Sequence, residues 1–317
     1  MAAIPTALFP YVHTRPLING DVRVNDVELS FVPMQDRRPP DVFREMAREM
    51  TWGIAEMGIA VAIATKEYNL PFTAIPVFTV RRFDYQVVHY NLESGINTPK
   101  DLEGKKIAGG SLQTDVDLHC SKMLADVYGV NLDNVSWVAT RDNHIEHARL
   151  SKNAEYRPDA TVNELLESGE VAACVAGYSG TSSKVRRLLD DTGDAEGKWL
   201  SRNHFPPLHH TVVISNELLR QRPSLADDLY AAFVEAKRPF LDGLADGRDL
   251  WPELSDSVLG PRHDFGVTSQ SELILPDPIP YGIEANRGPI EDIIRIAFDR
   301  GYLSKAWTPE EVFATAG

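Results

Sequence analysis

Two pairs of histidines stand at positions where their ring nitrogens can do chemistry. His209 and His210 directly precede the apolar segment 211–215 (TVVIS), which is typical of a buried strand. A histidine there suits general acid catalysis, because imidazole gains and loses its proton near neutral pH. The alternative is a histidine that only caps the strand end through hydrogen bonds. His144 and His147 have helical ligand spacing, but zinc needs three or four convergent ligands, so we predict no metal site.

A second polar group lies in the segment 280–287 (PYGIEANR). Its proline and glycine predict a turn that brings Tyr281, Glu284, Asn286 and Arg287 together, and the apolar pattern that follows predicts a helix. Asn286 is the predicted N-cap. The unpaired N–H groups at a helix start favour an anion, so this segment is a candidate ligand site. The alternative is that Glu284 and Arg287 only pair with each other at the surface.

Arginines recur in predicted loops, at Arg15, Arg81 and Arg287. An arginine side chain forms bidentate hydrogen bonds with a carboxylate. Several arginines that converge on one site would therefore suit a substrate with two carboxylates.

Several common chemistries are excluded by the sequence. It contains no GxSxG nucleophile motif, and Cys120 and Cys174 both lie in apolar surroundings typical of core residues. The Gly109–Gly110 pair is not followed by GKS or GKT, and it is not part of a dinucleotide-binding motif. We therefore predict neither a nucleophilic cysteine or serine nor a nucleotide site.

Charge and hydropathy limit the partners of the chain. A net charge of −14 over 317 residues argues against nucleic-acid binding, which needs a basic surface. The N-terminal residues lack the pattern of a secretory signal, and no apolar run is long enough to span a bilayer. We expect a cytoplasmic protein that binds neither nucleic acid nor membrane. If it assembles, a homo-oligomer is the expected form.

Strand and helix patterns alternate along most of the chain, which predicts an α/β fold. We predict strands at 27–31, 73–78 and 85–90, a helix after Pro223, and an irregular segment at 247–280. The order predicts two lobes with a ligand cleft between them. Residues 1–87 and 212–317 form the discontinuous first lobe, and residues 88–211 form the inserted second lobe.

Seven segments of the sequence carry a resemblance to a known family. They are HTRPLINGDV (13–22), IAEMGIA (54–60), AIPVFTVRRF (74–83), TPKDLEGKKI (98–107), VRRLLDD (185–191), FPPLHHTVVI (205–214) and PYGIEANR (280–287). In these segments the chain resembles the 4,5-dihydroxyphthalate decarboxylase family. The resemblance implies a type II periplasmic-binding-protein-like fold with a discontinuous first lobe and a central cleft. It also implies non-oxidative decarboxylation of a hydroxylated aromatic acid without an organic cofactor, with a divalent metal left open.

The resemblance also implies site residues. The catalytic candidates are His210 as the acid and Glu284 or Glu56 as the base. The substrate-binding candidates at family-like positions are Arg15, Arg81, Gln113, Thr114, Asn286 and Arg287. His13 and Tyr281, which lie in two of the quoted segments, complete the predicted set of substrate-binding residues.

The implied chemistry has a simple physical basis. An aryl carbanion is too costly to form, so protonation of the ring carbon that bears the carboxylate must precede the loss of carbon dioxide. Two alternatives on the same fold remain. One is a non-catalytic solute-binding or ligand-sensing protein for a small aromatic carboxylate. The other is a protein like those of thiamine-pyrimidine biosynthesis, although the chain lacks the cysteine cluster associated with them.

Overall fold

The computed structural model describes residues 2–248 and 277–314. The chain divides into two compact units. The first unit comprises Met1–Phe83, Asn203–Glu291 and Trp307–Gly317, and the second comprises Asp84–Arg202 and Asp292–Ala306.

The first unit is built on a mixed sheet of five described strands. The strands are β1 (Ile4–Ala7), β2 (Leu29–Phe31), β3 (Ile54–Gly58), β4 (Phe72–Arg81) and β11 (Leu208–Ser215), in the order β2-β1-β3-β11-β4. Strand β11 is antiparallel to both β3 and β4. The beginning of β11 therefore lies beside the carboxyl ends of β3 and β4, and we call this side of the sheet the carboxyl edge.

Seven described helices contribute to the first unit. They are α1 (Arg15–Ile18), α2 (Pro39–Glu49), α3 (Ile59–Ala62), α7 (Asn216–Gln221), α8 (Leu225–Ala245), α9 (Ile283–Asp299) and α10 (Pro309–Val312). Helix α8 buries the stripe Leu225, Leu229, Phe233 and Phe240, which repeats at helical spacing. Leu225, Leu229 and Phe233 of this stripe pack into the main apolar core, together with residues of β3, β4 and β11.

The second unit has its own mixed sheet, with six described strands in the order β10-β5-β9-β6-β7-β8. The strands are β5 (His89–Asn91), β6 (Lys106–Gly109), β7 (Ser136–Ala139), β8 (Ala154–Tyr156), β9 (Ala173–Cys174) and β10 (Val185–Arg187). The helices are α4 (Asp115–Tyr128), α5 (Val162–Ser168) and α6 (Gly193–Asn203), and residues 292–299 of α9 also belong to this unit. Helix α5 packs on this sheet and buries Leu165 and Leu166 in the second core.

The α/β class agrees with the prediction, but the boundaries differ. Residues 84–87 and 292–306 belong to the second unit, and residues 203–211 belong to the first. The reason is that β11 begins at Leu208, so His209 and His210 are already part of the first sheet. The predicted strand 85–90 is a short 3-10 turn followed by β5, and the predicted strand 27–31 is limited to β2.

Most of the predicted irregular segment 247–280 lies outside the described residues. Within residues 2–248 and 277–314, no helix combines the length and the apolar character that crossing a membrane requires.

Candidate functional site

A buried carboxylate–imidazole pair lies at the carboxyl edge of the first sheet. His210 Nδ1 lies 2.6 Å from Glu56 Oε1, and the Glu56 side chain is 0% exposed. In the antiparallel pair β3–β11, Val212 lies opposite Glu56 and His210 lies opposite Gly58. His210 and Glu56 are therefore diagonal neighbours on one face of the sheet, a position in which side chains interact. Gly58 has no side chain, so the space beside His210 is left to Glu56.

The Glu56 carboxylate is held by three described donors. His210 Nδ1 and the Tyr11 hydroxyl share Oε1, the latter at 2.8 Å, and the Phe9 N–H group donates to Oε2 at 3.4 Å. Burial, followed by the charge of Glu56, raises the pKa of Tyr11 well above its usual value, so this hydroxyl remains a donor. An ionised carboxylate only accepts, so a Glu56 carboxylate requires that His210 donates through an Nδ1–H group. The contact with Glu56 fixes the orientation of the imidazole ring and leaves Nε2 as the nitrogen that can exchange a proton with a ligand.

Arg81 is a buried cation at the same edge. It is the last residue of β4, is 0% exposed and lies opposite Leu208 on β11. Nη1 donates to the Pro206 carbonyl at 3.2 Å, and the guanidinium lies over the rings of Phe78 and Phe205. Burial lowers the Arg81 pKa to about 9, although the charge of Asp277 opposes this shift.

Two N–H groups of the Arg81 side chain remain for a ligand. Nε and Nη2 have no hydrogen-bond partner among the described residues. Buried donors in native proteins are nearly always paired, and a guanidinium matches the two oxygens of a carboxylate. Arg81 is therefore well suited to bind an oxyanion.

His13 and Tyr281 extend the polar region of the first unit. The His13 ring is buried and stacks on Tyr11, with centroids 5.6 Å apart and an interplanar angle of 9°. The Tyr281 ring lies 6.4 Å from that of His13. Lys237 Nζ lies 3.8 Å from the centroid of the Tyr281 ring and donates to Asp277 and to the Ile279 carbonyl. His13 thus lies next to Tyr11 of the Tyr11–Glu56–His210 group, and Tyr281 lies next to His13.

Glu284 and Arg287 form a surface ion-pair cluster instead. Arg287 Nη2 lies 2.5 Å from Glu284 and 2.6 Å from Glu310, and the Glu284 side chain is 86% exposed. These contacts correspond to the alternative in which the two residues pair with each other. Glu284 as a base and Arg287 as a carboxylate ligand therefore stay predictions, and neither is used in the reaction proposed below.

Asn286 supports the turn that carries Tyr281. Its Nδ2 donates to the carbonyls of Pro280 at 3.0 Å and Gly282 at 2.7 Å. The prediction of Asn286 as N-cap is wrong, because α9 already begins at Ile283. The side chain braces the turn from inside the first turn of the helix.

Three other candidates have local structural contacts. Arg15 is the exposed first residue of α1. In the second unit, the Gln113 amide donates to the Arg149 carbonyl at 2.5 Å and accepts from Asn143. Thr114 is the N-cap of α4 and forms a capping box with Asp117. A role of Arg15, Gln113 and Thr114 in substrate binding stays a prediction.

His209 and His210, at the start of β11, correspond to the two alternative roles predicted for a histidine at a strand end. His209 is buried and its Nε2 lies 3.2 Å from the Arg82 carbonyl, as expected of a structural side chain. His210 instead pairs with Glu56.

Among the described residues, no group of three or more His, Cys, Asp or Glu side chains is arranged to hold a metal ion.

Sequence reasoning missed Tyr11 and Lys237. The signal for Lys237 was present, because it lies four residues after Phe233 on the apolar stripe of α8, where a charge must find a partner. Tyr11 follows β1 in an irregular segment with no periodic pattern, so nothing local connects it with Glu56, which lies 45 residues further along the chain.

Comparisons with known proteins bear on both family and fold. The family model described as NMT1/THI5 like matches residues 46–234. The 4,5-dihydroxyphthalate decarboxylase of Comamonas testosteroni is 26% identical over 325 residues, which cover 96% of this chain and 94% of that protein. The enzyme of the same name from Pseudomonas putida is 27% identical over 205 residues, which cover 60% of this chain and 78% of that protein. The predicted resemblance is confirmed.

Solved structures show the fold. The alkanesulfonate-binding protein SsuA from Xanthomonas axonopodis pv. citri matches with a TM-score of 0.51 at 12% identity, and the match covers 100% of this chain and 99% of that one. The periplasmic aliphatic sulphonate binding protein SsuA from Escherichia coli matches with a TM-score of 0.50 at 12% identity, over 100% and 93% of the two chains. The predicted periplasmic-binding-protein-like fold is confirmed.

Proposed function

The chain belongs to the NMT1/THI5-like family, and from this premise we propose that it is a decarboxylase of a hydroxylated, phthalate-like aromatic acid. Two relatives that bear the name 4,5-dihydroxyphthalate decarboxylase support the reaction class. The observation that carries the proposal is the buried Glu56–His210 pair, with Nδ1 and Oε1 2.6 Å apart. A protein that only binds a carboxylate needs hydrogen-bond donors, whereas a carboxylate-supported imidazole is the arrangement that transfers protons.

In the proposed reaction, His210 is the general acid. Its Nε2 gives a proton to the ring carbon that bears the leaving carboxylate, so a C–H bond forms and the ring loses its aromaticity. The bond to the carboxylate then breaks, its electron pair returns to the ring and carbon dioxide leaves. His210 regains its proton from solvent. General acid–base catalysis of this kind contributes about 100- to 10,000-fold.

Glu56 acts through His210 in this scheme. All three of its described contacts are with donors, so it orients the imidazole and stabilises the charged imidazolium. This role differs from the predicted role of Glu56 as a base towards the substrate. Tyr11 is a positioning residue, because its hydroxyl holds the carboxylate oxygen that His210 contacts.

Arg81 binds the carboxylate that the product retains. Its two unpartnered N–H groups match the two oxygens of that group, and its burial excludes water, which strengthens the interaction. A dicarboxylic acid thereby gains one anchored carboxylate, and the other is free to react.

The test is a turnover panel. The purified protein is incubated with hydroxylated phthalates and hydroxybenzoates, with and without a chelator, and carbon dioxide release is followed together with the ultraviolet spectrum. We expect release from a hydroxylated phthalate, and release that survives the chelator would support a reaction without a metal. Tight binding of these acids without any release would contradict the proposal and identify a ligand-binding protein.

A further inference from the structure

Two buried residues of the first unit carry polar atoms that the fold leaves without a well-formed hydrogen bond. In the part of the chain that the structure describes, the Tyr281 hydroxyl has no hydrogen-bond partner, and the His13 ring nitrogens have none of good geometry, although the Thr79 main chain interacts with the ring. His13 is 0% exposed and Tyr281 is 7% exposed. Buried polar groups without a partner are rare in native proteins, because each costs desolvation free energy. Two such residues with ring centroids 6.4 Å apart indicate a site that a ligand completes.

Both residues are uncharged at neutral pH. Burial, followed by the positive charge of Lys237, lowers the His13 pKa to about 3, although the main chain of Thr79 opposes the shift. Burial, followed by the charge of Asp277, raises the Tyr281 pKa well above its usual value. A neutral imidazole has one donor and one acceptor, and a phenol can do both. Their natural ligand group is neutral and both donates and accepts, as a hydroxyl does.

The two rings are held in place before any ligand binds. His13 stacks on Tyr11, and the Tyr281 ring contacts the Lys237 ammonium and makes a T-shaped contact with Phe233. The turn before α9 fixes the main chain of Tyr281, since Gly282 donates to the Pro76 carbonyl at 2.8 Å and has a φ of +88° that favours glycine. A rigid site loses little conformational entropy on binding, so its hydrogen bonds contribute more fully to affinity.

We infer that His13 and Tyr281 form a neutral subsite that binds the ring hydroxyl of the aromatic acid. The inference rests on the proposed function, and it assigns the substrate's two kinds of polar group to different residues. The cationic Arg81 takes a carboxylate, and the uncharged pair takes the hydroxyl. The link from this subsite to the acid runs through Tyr11, which stacks on His13 and donates to Glu56.

Tyr281→Phe is the sharpest variant. It removes one oxygen that has no described hydrogen-bond partner, so the ligand-free protein should be as stable as the wild type or more so. His13→Leu is the second variant and removes both ring nitrogens. Tyr302→Phe is the matched control, since Tyr302 is a buried tyrosine of the second unit. Calorimetry measures the affinity of each protein for 4-hydroxyphthalate and for unsubstituted phthalate.

We expect Tyr281→Phe and His13→Leu to bind 4-hydroxyphthalate roughly tenfold more weakly, as the loss of a hydrogen bond implies. Their affinity for phthalate should equal that of the wild type, and Tyr302→Phe should change neither value. An equal loss for both acids, no loss for either acid, or failure of the wild type to bind either acid would overturn the inference. Wild-type preference for the hydroxylated acid without carbon dioxide release would refute the proposed reaction but leave the subsite in place.

Discussion

Replacement of Glu56 by glutamine separates the charge of this residue from its shape. Glutamine can still accept from His210 Nδ1 and the Tyr11 hydroxyl, but it carries no negative charge to stabilise an imidazolium. The contact is short, at 2.6 Å, and the Glu56 side chain is fully buried, so solvent screens it weakly. Glu56→Gln should therefore leave less of the imidazolium that donates the proton, and so lower kcat, while the imidazole remains in position.

The size of the effect follows from the geometry. Two unit charges with centres about 4 Å apart interact by about 4 kcal/mol at an effective dielectric constant of about 20. A loss of about 3 to 4 kcal/mol corresponds to a decrease in kcat of about 100- to 1,000-fold. Tyr11→Phe is the matched control, because it removes one donor to Glu56 and leaves the charge. We expect it to lower kcat by less than about tenfold, the worth of one hydrogen bond.

The assay is carbon dioxide release at saturating hydroxylated phthalate, with unfolding curves to show that both variants are folded. The KM of Glu56→Gln should stay within a few-fold of the wild-type value, because Glu56 contacts His210 and not the ligand. A kcat for Glu56→Gln within threefold of the wild type would refute the role of its charge. A higher KM with an unchanged kcat would also refute the role of the charge.

Three further outcomes follow from the contacts of single residues. Arg81→Met should keep the unfolding free energy of the ligand-free protein within about 1 kcal/mol of the wild-type value, because it removes a poorly paired buried charge. The same variant should bind phthalate about 10- to 100-fold more weakly. A loss of stability without a loss of affinity would contradict this prediction. The fold lowers the His13 pKa to about 3, so below about pH 6.5 only the unfolded chain takes up a proton at this residue, and the protein becomes less stable as the pH is lowered. In denaturant titrations, the free energy of unfolding of the wild type should decrease by about 2 kcal/mol more than that of His13→Leu between pH 7 and pH 5. Equal losses in the two proteins would show that His13 is not held neutral by the fold. Arg287→Ala should change stability by less than about 1 kcal/mol and leave the ligand Kd unchanged, since its described charge partners are surface glutamates; weaker binding would return Arg287 to the site.

The sequence is most informative where periodicity and burial coincide. The stripe of α8 and the apolar runs of β4 and β11 follow directly from residue pattern, and they define the first sheet and its core. His210 was identifiable because a histidine that precedes a buried strand must find a partner there. Glu56 stood out as a carboxylate within an apolar run, although only the pairing of β3 with β11 shows that its partner is His210.

The features that the sequence leaves open have a common physical cause, which is dependence on residues distant in sequence. Glu284 and Arg287 have a spacing that serves an anion site and a helix-surface ion pair equally well. The outcome depends on Glu310, which approaches Arg287 from 23 residues away. Arg81 as a carboxylate ligand stays a prediction. That its described neighbours are Phe78, Phe205 and the Pro206 carbonyl becomes visible only in the folded chain.

The most direct test of the account compares turnover with binding in one variant. Carbon dioxide release and ligand affinity are measured for the wild type and for His210→Gln with the hydroxylated phthalate that the wild type consumes fastest. If His210 is the acid, the variant binds this compound within a few-fold of the wild-type affinity and releases carbon dioxide at least about 100-fold more slowly. A variant that retains wild-type turnover, or one whose affinity falls as much as its rate, would contradict the assignment of His210 as the proton donor.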